Sequence, residues 1–351
     1  MTSESIQPGC QFASDNTAGI CPEALAAINE AATGCAPPYG DDPWTRRARE
    51  AICEWLGMEC QVFFTYGGTA ANALVLAAIC RPYHSVICSA AAHVETDECA
   101  APEFFTGGSK VLAIESPAGK LLPGAVEAVA TRRDDVHAPR PRALSITQST
   151  EWGTLYSPDE LRALCDAAHR CNLRVHMDGA RLANALASLD VSPAAMTHEV
   201  GVDVLCLGGT KAGLATGDAV VFFDKALAEE FDFRLKQAGQ LASKMRFLTA
   251  PWPAMLEGGA YVAHARHANH CAAMLEAALA EIDGIEILFP RQVNAVFAKF
   301  PLPWITALRE RGWTFYTFIG DDGIRLMCSW CTQEEEVAAF VADVRRISTS
   351  G

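Results

Sequence analysis

A chain of 351 residues, half of them apolar, has the material for a sizeable buried core and, by length, for about two domains. Its net charge of -14 excludes the basic stripe of a nucleic-acid binder, and its longest apolar stretch, residues 69–80, is too short to span a bilayer. Fourteen scattered cysteines, several inside apolar patterns (Cys53, Cys80, Cys171, Cys206), read as free thiols of a reducing cytoplasm, and Met1 to Ser5 open no secretory signal.

In chain order, Pro22 opens a helix that Gly34 closes. A strand over residues 61–64 then runs into Thr65-Tyr66-Gly67-Gly68-Thr69-Ala70-Ala71-Asn72 and an Ala/Leu-rich helix. Glycines let the backbone approach closely, helix N-terminal amides point at an anion, and the Thr hydroxyl adds a donor, so Gly67, Gly68 and Thr69 form a candidate phosphate cradle. Further strands are expected over 85–88, followed by His93, and over 110–114 and 143–147, the last after an exposed loop at 134–141. Ser157-Pro158-Asp159-Glu160 carries a capping box for the next helix. A strand at 173–177 ends on Asp178-Gly179-Ala180-Arg181, one at 202–207 ends on Gly208-Gly209-Thr210-Lys211, and a seventh covers 219–223.

Alternating strands and helices predict an α/β fold with a mostly parallel seven-stranded sheet in residues 1–250. After Pro251 the pattern changes to a long Ala-rich helix over 259–281, short strands near 285–289, 295–300, 314–318 and 324–329, and a last helix capped at Thr332-Gln333-Glu334-Glu335. Residues 251–351 therefore read as a smaller α+β domain. The pair Cys328 and Cys331 has redox or metal spacing but lacks the surrounding ligands, and no metal set is expected.

An amine and a carboxylate at the ends of two buried strands, beside a phosphate cradle, are what pyridoxal 5'-phosphate (PLP) chemistry requires. Lys211 supplies the amine for the cofactor aldehyde, and Asp178 the partner for its pyridine nitrogen. His93 falls at the same sheet edge, where an imidazole can stack on a ring or move a proton. Arg181 is a cation at a helix start and Arg325 a cation in an otherwise apolar strand; both are candidate clamps for a bound anion.

These residues resemble the PLP-dependent L-threonine aldolases of the fold type I group over nearly the whole chain. The landmarks are Ser14-Asp15-Asn16-Thr17, Tyr39-Gly40-Asp41-Asp42-Pro43, Gly67-Gly68-Thr69, His93, Asp178 to Arg181, Lys211 and Arg325. The resemblance implies that Lys211 holds the cofactor covalently, Asp178 meets its ring nitrogen, His93 stacks on the ring, and Ser14, Arg181 and Arg325 bind the substrate carboxylate. It also implies a homodimer or homotetramer with shared sites, in which Tyr39 and one of Lys236, Lys244 and Arg246 reach the neighbouring subunit.

The reaction implied is cleavage of a small-molecule amino acid, threonine or a related β-hydroxy-α-amino acid, to glycine and an aldehyde. Where many members of that family have Asn-Thr-His-Asn, this chain has Thr147-Gln148-Ser149-Thr150-Glu151-Trp152, without the second histidine. His93, or a water near Gln148 and Glu151, is then the candidate base, and Trp152 reshapes the pocket for a bulkier aldehyde. A β-eliminating lyase, a transaminase and a racemase share this cofactor architecture, and a decayed, non-catalytic scaffold is the reading from another class.

Overall fold

Seven apolar runs pair into one sheet: β1 (Gln61–Thr65), β2 (His84–Ser89), β3 (Lys110–Ile114), β4 (Arg140–Thr147), β5 (Arg174–Gly179), β6 (Val204–Leu207) and β7 (Asp218–Phe222). The computed structural model describes residues 11–349, so the reading of Met1 to Ser5 lies outside them. The strand order is β1-β7-β6-β5-β4-β2-β3. Every pair from β3 across to β6 is parallel, while β7 runs antiparallel to both β6 and β1.

The one reversal matters for the site. Because β7 runs backwards, its first residue, Asp218, lies at the sheet edge where β1, β5 and β6 end; Thr65 is in register with Asp218, and Asp178 with Cys206. Strands β6 and β7 are buried at every position, which is why they read as continuous apolar runs instead of alternating ones.

Helices cover both faces. The helix Gly68–Ile79 buries eight of its residues, from Ala71 to Ile79, because it is apolar all round. By contrast Pro158–Arg170 buries one stripe, Leu161, Leu164, Cys165, Ala167 and Ala168, and starts at the expected capping box of Ser157 and Glu160.

The C-terminal strands β8 (Glu286–Ile287), β9 (Ala295–Lys299), β10 (Tyr316–Ile319) and β11 (Gly323–Met327) form a second, antiparallel sheet in the order β10-β11-β9-β8. The helices Leu302–Glu310 and Glu334–Ser348 belong to the same core. Capping of the last helix is one residue later than predicted: Gln333 and Glu336 make the box, because the Thr332 hydroxyl is taken by the Ser329 amide at 2.9 Å.

Core membership does not change at Pro251. Trp252, Met255, Tyr261 and Ala265 pack with the large sheet, whereas Cys271, Leu275 and Leu279 of the same long helix, Ala260–Ala280, pack with the small one. The N-terminal arm crosses in the other direction: Phe12 sits in the small core and its main chain bonds to Thr314 and Met327. Ser14 and Asp15 are thereby carried to the seam between the sheets. Among the described residues no helix is long and apolar enough to cross a membrane.

Candidate active site

Lys211 is placed by a turn that only glycine permits. A Cβ on Gly208 would lie 2.5 Å from the carbonyl oxygen of Ala180, so β6 leaves the sheet pressed against the end of β5. The following residues are fixed by Asp218, whose Oδ1 accepts the amides of Gly209 (2.7 Å) and Thr210 (3.1 Å). Lys211 follows directly, half-buried in the turn Thr210–Ala212. The charge of Arg181, and then burial, hold its ammonium below the ordinary lysine range, against the pull of Asp15, Asp178 and Asp218. A lysine so placed gives up its proton more readily and is the better nucleophile.

Asp178 is buried at the end of β5 and belongs to a chain of polar groups. Its Oδ2 accepts the Asn72 amide at 2.9 Å, and its Oδ1 accepts the Ala180 main-chain N–H at 2.9 Å. The same Asn72 nitrogen also donates to Glu98 Oε1 at 2.8 Å, and that oxygen holds His93 Nδ1 at 2.9 Å. Burial works against the Asp178 charge, but Lys211 and the Ala180 amide outweigh it and leave the carboxyl below its usual range. His93 is shifted the other way, because its bond to Glu98 favours the protonated ring over the opposing effect of burial.

Gly67, Gly68, Thr69, His93, Lys211 and Asp218 line one cavity of about 210 Å³ at this edge. Gly67 caps the helix Gly68–Ile79 without any side-chain hydrogen bond, which leaves the first amides available to an anion. A Cβ built on Gly67 meets no atom within 4 Å, so the cradle is open where a phosphate oxygen would enter. The amine, the buried carboxylate behind it and the cradle are all present for PLP.

The two arginines differ. Arg181 meets its anion within the chain: Nε and Nη2 grip the two oxygens of Asp15 at 2.7 and 2.9 Å, and Nη2 also touches the Met327 sulfur at 3.2 Å. That pairing is strong enough to hold the buried Asp15 ionised despite the cost of burial. Asp15→Ala would leave the guanidinium buried without its counter-charge; we expect a loss of about 3–5 kcal/mol of stability, read as a lowered unfolding midpoint.

Among the described residues Arg325 has no carboxylate partner of this kind. Its Nη2 reaches the Ala13 carbonyl at 3.1 Å and its plane lies over Tyr316 and Phe318, yet its buried Nε has no hydrogen bond. Burial, reinforced by Arg181, lowers it to about 10. A buried donor in this state is built for an incoming acceptor. Ser14, in the same arm as Ala13, is buried and accepts the Asn16 amide at 3.2 Å, which leaves its hydroxyl proton to give.

Gln148, near which the sequence sets a candidate water, is turned back onto its own chain. Its Nε2 donates to the Tyr156 carbonyl at 2.9 Å and its Oε1 accepts the Tyr156 amide at 3.1 Å, so both ends of a fully buried amide are spent on bracing the chain. Tyr39 is exposed and carries the Lys236 ammonium over its ring at 4.4 Å, whereas Arg246 bonds to the Gly34 carbonyl and lies over Trp44. Sequence reasoning assigned no role to Asn72, Glu98, Asp15 or Asp218, although the first and third stood inside motifs it singled out.

An open helix start, a buried carboxylate and an amine at one edge of this sheet belong to a fold type I PLP enzyme. Residues 11–301 match the Beta-eliminating lyase family. The chain is 54% identical to a low specificity L-threonine aldolase of Pseudomonas sp. over 97% of its length and 98% of that protein, and 53% identical to that of Pseudomonas aeruginosa over 96% and 97%. The structure of a Leishmania major threonine aldolase superposes with a TM-score of 0.91 at 29% identity, covering 96% of this chain and 99% of that one. The chain belongs to the low specificity L-threonine aldolases within the Beta-eliminating lyase family.

Proposed function

We propose that this protein cleaves L-threonine, L-allo-threonine and related β-hydroxy-α-amino acids to glycine and an aldehyde. The observation that carries the reading is the meeting of Lys211, Asp178 and the open helix start at Gly67 on one sheet edge, with the unpaired Arg325 beside it. PLP, when bound, supplies the electron sink for the bonding pair of the broken Cα–Cβ bond.

Each residue then has a distinct physical role. With PLP bound, Lys211 would hold it covalently, Asp178 would pair with its ring nitrogen, His93 would pack against it, and Gly67, Gly68 and Thr69 would receive its phosphate. Arg325 Nε and the Ser14 hydroxyl take the substrate carboxylate, and Arg181 adds only the guanidinium edge that Asp15 leaves free. Fixing the carboxylate fixes the rotation about the amine–Cα bond, and orientation selects which bond breaks. Tyr39 and Lys236, stacked together on the surface, suit a neighbouring subunit's site in a dimer or a tetramer of dimers. Division into residues 1–250 and 251–351 would place this carboxylate clamp at the domain seam, and the scattered free thiols support a cytoplasmic location.

Product analysis after incubation with threonine, allo-threonine and phenylserine tests the reading. Glycine plus aldehyde is expected; a 2-oxo acid plus ammonia, or an exchanged amino group, would replace it with elimination or transamination. Arg325→Lys keeps the charge but loses the planar fork, and we expect KM for threonine to rise by about 10–100-fold, with cofactor absorbance unchanged. An unaltered KM would remove Arg325 from carboxylate binding.

A further inference from the structure

Strand β4 ends at Thr147, in register with Asp178, and the chain then turns through Gln148, Ser149 and Thr150 to Glu151. This turn is firmly tied down: besides the Gln148–Tyr156 bonds, the Thr150 hydroxyl pairs with that of Thr154 at 2.7 Å and accepts the Thr154 amide at 3.2 Å. Glu151 is the exception at its end. Oε1 accepts the main-chain N–H of His93 at 2.8 Å and the Thr147 hydroxyl at 2.9 Å, while Oε2 is buried with no hydrogen-bond partner.

Glu151 also lines a second cavity, of about 260 Å³, whose aromatic wall is Trp152 and Phe318. The Phe318 ring lies 4.9 Å from the Arg325 guanidinium, and Trp152 packs on Phe318 edge-on at 5.4 Å. The cavity is thus walled by Phe318, whose ring carries the Arg325 guanidinium, and by Glu151, the residue that anchors the His93 main chain. A substrate carboxylate on Arg325 would lie against the Phe318 side of this cavity.

We infer that Glu151 is the general base that removes the β-hydroxyl proton, taking it on Oε2, while the neighbouring aromatic-walled cavity receives the side chain of the departing aldehyde. The inference rests on the aldolase reading above. The proton passes from the hydroxyl to Oε2 and the freed O–H pair becomes the second bond of the aldehyde carbonyl. The Cα–Cβ pair stays with the Cα fragment, where uptake of one proton completes glycine, and Glu151 releases its own to solvent. No electrons are gained or lost overall.

His93 is less available, because Nδ1 is engaged by Glu98 and a ring that this bond keeps protonated has no lone pair left to take another proton. Glu151 is better suited to accept a proton near neutral pH, since burial first, and then the Asp178 charge, push it up to about 7 against the bonds from His93 and Thr147. The other groups facing it are Arg181, Tyr156 and Cys88, with Asp97 and Glu115 across the cavity. The base acts when ionised, so kcat should rise with pH through the neutral range.

Glu151→Gln tests this, since the amide oxygen can still accept both bonds made by Oε1. We expect kcat for threonine to fall by about 10²–10⁴-fold, KM to change little, and the acid limb of the kcat–pH profile to vanish. Cofactor absorbance and exchange of the glycine α-hydrogen with deuterated solvent should persist, because neither requires a β-hydroxyl. A rate near that of the wild type with its acid limb intact overturns the inference, as does loss of glycine exchange in step with cleavage. Should the variant fail to fold, Thr147→Val removes one donor to the carboxylate and should move the acid limb to higher pH; a limb that stays in place overturns the inference equally. Wild-type protein that releases no glycine from threonine would refute the aldolase reading itself, a separate result.

Discussion

Lys211→Ala is expected to lower threonine cleavage by about 10⁴-fold or more and to remove the visible absorbance of the enzyme-linked cofactor, while the unfolding midpoint changes little. Three features support that combination. The turn itself is held by Asp218 through the main-chain amides of Gly209 and Thr210, which the substitution leaves intact. The residue is half-buried, and relief of the repulsion from Arg181 offsets the lost attraction to Asp15, Asp178 and Asp218. The lost group is the one able to bond covalently to the cofactor aldehyde at this edge. Turnover at the wild-type rate would exclude Lys211 as that group.

The second large effect is expected from Asp178→Asn, which should retain part of the bound PLP but lose roughly 10²–10³ in kcat, as for a misplaced transition-state charge. Asp178 has two donors aimed at it, the Asn72 amide on Oδ2 and the Ala180 N–H on Oδ1. An asparagine can accept only one of them and must turn its own NH₂ toward the other, at a cost of about 1–3 kcal/mol. It also withdraws the negative charge that would keep a ring nitrogen protonated. Because Asn72 links Asp178 to Glu98 and thence to His93, that histidine should shift its titration in the same variant, measurable by NMR. An unchanged kcat would separate Asp178 from the chemistry.

Much of the large sheet is legible in the sequence because its strands are short apolar runs set between helical patterns. The run expected at 110–114 coincides with β3, and most of the others differ from the observed strands by one to three residues at their ends. The motif residues at strand ends, Gly67, His93, Asp178 and Lys211, could be placed for the same reason: parallel strands deliver their carboxyl ends to one edge. Asp218 reaches the same edge only because β7 runs backwards. Residues 208–217 are too few for a helical crossover, so the connection itself implies a reversed strand starting at the active edge.

Other features had no local signal. Asp15 and Arg181 are 166 positions apart, and which anion satisfies the arginine is decided by the path of the N-terminal arm across the small sheet. The spent amide of Gln148 follows from a turn that brings Tyr156 back onto it eight residues later, which composition does not reveal. Glu151 stands in the sequence only as a neighbour of a candidate water; its tie to the His93 main chain, 58 positions away, has no local signal.

The most direct test is to incubate the protein with PLP, reduce it with borohydride and locate the cofactor by mass spectrometry of the peptides. One phosphopyridoxyl group, on the peptide containing Lys211 and displaced by prior addition of glycine, is the expected result. Labelling of another lysine, or none, would contradict the site described.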